Sequence, residues 1–371
     1  MYDAIVVGAG PAGSSAARAL AAGGHRVLLT EKYGMPRNKS CSGILIQKSI
    51  ALIGEYFGET VPESVMCAPH DSRGMVFTDD AGREFRYEQA GLNIRRDAFD
   101  HWLARMAVGA GAELRDGTAA VRCEEQDDSV LVSLCGDGAY DERARVVIVC
   151  DGAVGSLRRK VVRSEPKNII TYQTFNRGRV ELDPHYFYAY LNPALSDYDA
   201  WCNVKDEHLI FGVSVKDAHR IEPCYAAFME YMRVNHGAAI ERTERTERWI
   251  MPHIQPGCPV DRGRGRIFFT GETAGFLNPM GEGISAALES GYAVAAALCE
   301  AGLGGAEDLQ AAHDGYRMRS EALGSYMRRQ WRFVGSMAKT FAHMCIPTSE
   351  NAPVRADVGI ATCDRMHTHV P

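Results

Sequence analysis

The sequence predicts an α/β fold: a parallel sheet carrying a dinucleotide-binding turn, an inserted antiparallel strand-rich domain, and a helical C-terminal region. Three observations carry this. The apolar run Ala4 to Val7 feeds G-x-G-x-x-G and an Ala-rich helix, Val146 to Val149 forms a second wholly apolar strand, and residues 185–191 alternate with period two. With 371 residues, 46% hydrophobic and 24% charged, the chain has an ordinary globular composition and length for roughly two to three domain-sized units. A net charge of −6 gives no electrostatic footprint for nucleic acid, which points to a small-molecule enzyme. Eleven cysteines without a C-x-x-C pair read as reduced thiols, so a cytoplasmic location is expected. No run approaches the roughly 18 apolar residues that span a bilayer, so any membrane contact is expected to be peripheral.

Taking the elements in order, Gly8 permits the tight turn after the first strand and Gly10 lets the backbone approach a pyrophosphate. Gly13 allows close helix–strand packing, and the helix N-terminus offers free N–H groups to the phosphates. Pro11 suits the first helical turn. The next strand, Arg26 to Thr30, ends in Glu31, where a Rossmann-like unit places an acidic partner for a ribose hydroxyl. Lys32 to Gly43 is a loop leading into a helix expected over 44–57. Cys41, with Arg37 and Lys39 nearby, reads either as a thiol in an electropositive site or as an inert half-buried cysteine. Runs at 74–78 and 84–87 predict a small inserted hairpin. Arg96 opens an amphipathic helix with Phe99, Leu103 and Met106 on one face, and itself reads as phosphate-reaching or solvated. Strands are expected at 120–124, 129–134 and 145–150.

Further on, Tyr186, Tyr188 and Tyr190 share one face of a strand, and Phe187, Ala189 and Leu191 the other; one face is core and the other a candidate pocket wall. Strands at 199–204 and 208–215 extend that sheet. Arg242, Arg245 and Arg248 alternate with Glu241, Glu244 and Glu247 as an ion-paired surface. A small-residue helix is expected over 284–299. The region 308–344, with Arg328, Arg329 and Arg332 beside Trp331 and Phe333, reads as a membrane-surface helix or, more economically, as one packed on its own domain. The tail from Ser349 has no metal-ligand spacing, and no metal is expected. Only one G-x-G-x-x-G sits between strand and helix, so a single dinucleotide-binding unit is expected.

Asp151-Gly152-Ala153, with Ser156 and Arg158-Arg159 following, resembles the second fingerprint of the p-hydroxybenzoate hydroxylase-like flavoproteins, and Gly271-Glu272-Thr273-Ala274 after an apolar strand resembles the third. Lys39-Ser40-Cys41-Ser42-Gly43 is similar to the K-x-C-G-G loop of the geranylgeranyl reductase branch. Arg96 to Asp100 is similar to its R-x-x-F-D, and Asn278 to Ile284 to its N-P-x-T-G-x-G-I. The resemblance implies a p-hydroxybenzoate hydroxylase-type fold with noncovalent FAD. Gly8, Gly10, Ala12 and Gly13 would lie at the pyrophosphate, Glu31 on the adenosine ribose, Arg96 near the phosphates and Ala120 near the adenine. Cys41 and Ser42 would lie near the flavin ring, and Gly283 and Ile284 at the isoalloxazine edge. Lys39, Asp151, Gly152, Gly271, Glu272 and Gly281 complete the expected cofactor shell, Tyr188, Tyr190 and Trp201 the expected substrate wall, and Cys41 the expected catalytic group. The implied activity is reduction of C=C bonds in a small apolar, isoprenoid-like substrate, with the 284–299 helix aiming its N-terminus at a flavin carbonyl and electrons coming from a transiently bound NAD(P)H or from reduced ferredoxin or flavin as external donor. Aromatic monooxygenation or halogenation on the same scaffold is an alternative, although the halogenase W-x-W-x-I-P motif is absent, and flavin electron transfer is another. The expected domains are 1–160 with 256–300 for FAD, including a β insertion near 65–92; 161–255 for substrate; and 301–371 as a helical region and tail.

Overall fold

The computed structural model describes residues 1–335 apart from 154, 162–167, 253–259 and 278–280. The chain opens with β1 (Tyr2–Val7), α1 (Pro11–Ala22) and β2 (Val27–Thr30), then enters β3 (Ile44–Ile46), α2 (Gln47–Phe57), β4 (Met66–Thr78) and β5 (Glu84–Ile94). Next come α3 (Arg96–Gly109), β6 (Glu113–Arg115), β7 (Ala119–Glu125), β8 (Val130–Cys135), β9 (Ala139–Val149) and the short α4 (Ser156–Val161). The middle of the chain is β10 (Asn168–Arg179), β11 (Tyr186–Tyr190), β12 (Ala200–Lys205), β13 (His208–Val215), α5 (Ile221–His236) and β14 (Ala239–Pro252). It ends with β15 (Gly263–Arg264), β16 (Ile267–Phe269), α6 (Ile284–Ala301), α7 (Ala306–Arg319) and α8 (Glu321–Gly335).

Two eight-stranded sheets result. The first runs β15-β16-β9-β1-β2-β6, with β8 joined to β9 and β7 to β8, and its central strands from β16 to β6 are parallel. Helices cover it, so Ile5, Val6, Val147 and Ile148 are fully buried, as their unbroken apolar runs require. The second sheet runs β14-β10-β13-β12-β11-β4-β5-β3 and is antiparallel except where β11 pairs parallel with β4. Ser15 Oγ on α1 donates to Leu288 O on α6 (2.9 Å), which brings the third fingerprint against the first.

Several expectations are corrected. The helix over 44–57 starts as a strand, because Ile44–Ile46 pairs with β5 before the chain turns helical. The small hairpin is two long strands, and its β4 edge joins the same sheet as residues 168–252. The helical region 308–344 breaks at Ser320, whose hydroxyl donates to Tyr316 O (2.7 Å) and accepts from Arg262 Nε (2.7 Å). Tyr316, Leu323 and Met327 are buried in the first sheet's core, which favours the packed-helix reading as far as Met327. The side chains of Arg328, Arg332, Trp331 and Phe333 and the tail from 336 lie outside the described residues, as do Asn278, Pro279 and Met280. No described helix is long and apolar enough to cross a membrane.

Candidate active site

A cavity of about 540 Å³ lies between the two sheets, of a size suited to a ligand site. One end is the turn after β1. Gly8 has φ +101°, and a Cβ there would sit 2.5 Å from Cys150 O, so the β1 and β9 ends close on each other only through glycine. Gly10 stays open to the cavity, with only Arg37 Nη2 near its missing Cβ (3.5 Å). The free N–H groups at the start of α1 face the same space, which fits a pyrophosphate. Gly13 does not line the cavity. It acts from behind, where a Cβ would meet Gly8 O at 1.9 Å, which is the close helix–strand packing expected of it.

Around this cradle the charges form one chain. Glu31 accepts from Ala9 N–H (3.1 Å) and pairs with Arg37 Nε (3.3 Å), while Arg37 Nη1 donates to Asp100 Oδ2 (2.7 Å). Arg96 clamps the same carboxylate bidentately through Nε (2.9 Å) and Nη2 (2.8 Å). Arg96 is therefore not on a solvated face. Burial alone would push the Asp100 carboxyl up, but the Arg96 and Arg37 guanidiniums outweigh it and hold the carboxyl below its usual range. Burial alone would likewise lower Arg96, and the Asp100 charge and the Cys41 thiol override it and raise it.

The loop 37–43 forms the cavity's waist. Cys41 Sγ accepts from Gly43 N–H (3.3 Å) and stands near the Arg96 guanidinium, whose proton it helps to hold. The cations expected beside the thiol are engaged elsewhere: Arg37 with Glu31 and Asp100, and Lys39 with Glu272 (3.5 Å) and the face of Trp249 (4.7 Å). The cation beside Cys41 is Arg96, brought in by the start of α3 from beyond α2, β4 and β5. Behind the loop, Lys205 Nζ donates to Ile94 O (2.6 Å) and Asn203 Nδ2 to Ser42 O (3.3 Å), tying the waist to β12. Burial lowers the Lys205 amine, with Cys67 and Cys41 opposing.

The second and third fingerprints lock together through Thr273 Oγ1, which accepts from Gly152 N–H (2.9 Å) and donates to Asp151 Oδ1 (3.3 Å). Burial raises the Asp151 carboxyl, opposed by the Leu157 N–H and Thr273 bonds. Ala12, Ala120, Asp151, Gly152, Gly271, Glu272, Gly281, Gly283 and Ile284 all line the cavity. At the start of α6, however, the Ser285 N–H is taken by Glu282 Oε1 (2.8 Å), so the helix end offers one donor fewer than its dipole suggests.

The far wall is the inner face of the second sheet, and its composition follows from register. Gln173 opposes Gly212, which opposes Trp201, which opposes Ala189. Strand alternation then puts Thr171, Ser214, Asp199 and Phe187 on the same face. All of these except Ala189 and Gly212 line the cavity, together with Met75 and Trp249. Tyr188 and Tyr190 fall on the opposite face, which corrects their assignment to substrate. They pack with Phe211, Phe228 and Met232 beneath α5, Tyr188 OH accepting from Asp183 N–H (3.0 Å) and Tyr190 OH meeting His236 Nε2 (3.1 Å). Burial pushes Tyr188 up to about 12. Trp201 does face the cavity, its indole lying over Gly212, where a Cβ would sit 2.1 Å from Cζ2.

The sequence reading missed α5, although Ile221, Cys224, Phe228 and Met232 repeat at helical spacing and are all buried. That helix decides which face of β11 is core, so Phe187 rather than the tyrosine row reaches the cavity. Asp199 and Gln173 were also missed. The Arg/Glu row of β14 pairs as expected at Arg242–Glu244 (2.6 Å) and Arg245–Glu247 (3.1 Å), but the Glu247 side chain turns inward and is 8% exposed. Among the described residues no cluster of three or more His, Cys, Asp or Glu is arranged to hold a metal ion.

The family described as FAD binding domain matches residues 1–176. A digeranylgeranylglycerophospholipid reductase of Methanopyrus kandleri is 30% identical over 303 residues, 78% of each chain. Protein CbrA of Shigella flexneri is 27% identical over 300 residues, 78% of this chain and 79% of its own. Among solved structures, a geranylgeranyl bacteriochlorophyll reductase-like protein of Thermoplasma acidophilum superposes with a TM-score of 0.75 at 20% identity, covering 100% of this chain and 92% of that one. The myxobacterial chondrochloren halogenase CndH also reaches 0.75, at 18% identity and with 100% and 91% coverage. Both structures share the fold, and the sequence relationship gives the branch: the chain is an FAD-dependent oxidoreductase and belongs to the geranylgeranyl reductase-like branch of the p-hydroxybenzoate hydroxylase-type flavoproteins.

Proposed function

We propose that this oxidoreductase reduces carbon–carbon double bonds of an apolar, isoprenoid-like substrate. The observation that supports this is a single cavity running from the dinucleotide cradle, past the Cys41 loop, to the aromatic wall of Phe187, Trp201 and Trp249. The name of the Methanopyrus relative, a reductase of a digeranylgeranyl lipid, points the same way. In this reading Gly8, Gly10, Ala12 and Arg37 hold the FAD pyrophosphate, Glu31 the adenosine ribose, and Gly281, Gly283 and Ile284 the ring end. FAD, when bound and reduced, supplies hydride. The chain's own residues do the rest: the aromatic wall orients the alkene and excludes water, and Cys41 Sγ, held by Arg96, gives the second alkene carbon a proton that is restored from solvent. The electron donor is a nicotinamide or a ferredoxin-type protein that binds transiently.

The test is anaerobic single turnover of the dithionite-reduced holoprotein with a geranylgeranyl probe, followed by flavin absorbance and product mass. Reoxidation with a product heavier by two hydrogens is expected. Reoxidation that needs oxygen and yields a hydroxylated or halogenated product would replace this reading with monooxygenation. Cys41→Ser should keep FAD but change rate or product; unchanged rate and product would return Cys41 to a structural role.

A further inference from the structure

A row of polar residues crosses the second sheet and ends in a carboxyl with acceptor capacity to spare. Trp249, Thr171 and Ser214 stand opposite one another in the register of β14, β10 and β13, and Asp199, just before β12, joins them by accepting from Ser214 N–H through its backbone oxygen (3.0 Å). All four line the cavity. Each hydroxyl in the row spends its proton inside the wall, Thr171 Oγ1 on Trp249 O (3.4 Å) and Ser214 Oγ on Asp199 Oδ1 (2.8 Å). Apart from Ser214, the Asp199 carboxyl meets only its own backbone N–H, and among the described residues no cation pairs with it. A carboxylate offers about four lone-pair positions, so part of its acceptor capacity stays unused. Asp199 is half-buried, whereas Gln173 Oε1 and Trp201 Nε1 on the same face are unpartnered but sealed within the wall.

A row whose donors are spent calls for a ligand that brings one. Hydrocarbon pressed against Asp199 would strip water from the carboxyl and return nothing, and an ether oxygen would offer it only another acceptor. A hydroxyl donates, and it does so without the desolvation that an ammonium would cost in an aromatic wall. We propose that Asp199 is a specificity-determining residue that anchors a hydroxyl group on an otherwise apolar substrate, its carboxyl accepting the hydroxyl proton while Ser214 holds the carboxyl in place. Burial raises this carboxyl with no cation to oppose it, which agrees with a site matched to a neutral group. The proposal rests on the preceding reading only in taking the second-sheet face as the substrate wall. It holds for reduction and oxygenation alike.

The test is a binding titration of the oxidised FAD holoprotein at mildly alkaline pH, read as perturbation of the flavin spectrum, with geraniol, its methyl ether and geranylamine. The ether keeps the hydrocarbon and loses the donor; the amine carries a charged donor instead of a neutral one. Wild type should bind geraniol at least about tenfold more tightly than the ether, because a site that hydrogen-bonds a hydroxyl rejects analogues lacking it. Asp199→Leu should bring geraniol down to the level of the ether without weakening the ether or FAD. Because Asp199→Leu also leaves the Ser214 hydroxyl without its acceptor, the double variant Asp199→Leu/Ser214→Ala should behave in the same way. Equal affinity of wild type for alcohol and ether, binding of neither, tighter binding of the amine than of the alcohol, or a preference that survives in both variants would overturn the proposal. Since no turnover is measured, these outcomes are separate from failure of the alkene-reduction assay.

Discussion

An aspartate backs each end of the cavity, Asp100 buried behind the cradle and Asp199 half-buried on the second sheet, and the two carboxyls are shifted in opposite directions. Asp100 is raised by burial and then carried below the usual range by Arg96 and Arg37, whereas Asp199 is raised by burial, opposed by the Ser214 hydroxyl and its own backbone N–H. Burial raises both carboxyls, and the presence or absence of charged partners decides the sign. At the cradle the chain supplies its own counter-charges, Glu31–Arg37–Asp100–Arg96, and so fixes the geometry by itself. On the second sheet it leaves Gln173 Oε1 and Trp201 Nε1 unpaired among the described residues. The cradle satisfies its own charges, and the second-sheet wall does not satisfy all of its polar atoms.

Asp100→Asn attacks the paired end and should have the largest effect. Removing the carboxylate strands the buried Arg96 guanidinium and leaves Arg37 with Glu31 alone, at a cost of about 3–5 kcal/mol, measurable by urea unfolding at neutral pH. Because the folded carboxyl is depressed, its contribution is present above the ordinary carboxylate range and is lost as pH falls through the depressed value. Wild type and variant should therefore converge in acid, and equal midpoints at neutral pH would dismiss the ion-pair chain as a stabilising element. Glu31→Ala should weaken FAD by about 1–3 kcal/mol in a flavin titration, since the ribose hydroxyl loses a charge-assisted acceptor. Affinity equal to wild type would remove Glu31 from the cofactor shell.

Gly212→Ala probes the other end. Its Cβ would lie 2.1 Å from the Trp201 ring, so the indole must move, costing about 1–3 kcal/mol in overpacking. FAD affinity should hold while substrate affinity falls; loss of both together would show that the two ends are not independent. Asp199→Asn should have the smallest effect, and of opposite sign to Asp100→Asn. The raised folded carboxyl contributes stability below its unfolded value and loses it as pH rises through the folded value, so the variant should be at least as stable as wild type at neutral pH and lack that pH slope. A variant less stable than wild type across the pH range would mean that Asp199 is ionised and paired after all.

The cradle was legible because its chemistry is local: Gly8, Gly10 and Glu31 lie within one βαβ unit, and spacing along the chain reports spacing in the fold. Cys41 was legible as a member of a loop, but not its neighbour, since Arg96 arrives from α3 and Lys205 from β12. The substrate wall was misread for a comparable reason. Strand periodicity separates Tyr186, Tyr188 and Tyr190 from Phe187, but only α5 says which side is covered. Gln173, Gly212 and Trp201 become neighbours through strand pairing across β10, β13 and β12, a relation that no single window of sequence contains.

The parallel pair of β4 with β11 bears on how the chain can be assembled and cut. The polypeptide passes from one sheet to the other after β2, β5, β9 and β14, so neither sheet is a continuous stretch. Strand β4 finds β11 only after β6 to β10 have been made, and the loop-closure entropy is met before the contact forms. During synthesis the β4–β5 hairpin therefore emerges with an open edge, the kind of surface that recruits other chains. A chain cut after residue 176, where the FAD-binding family match ends, would keep that edge for good. The expected behaviour of such a fragment is aggregation rather than a working half-enzyme.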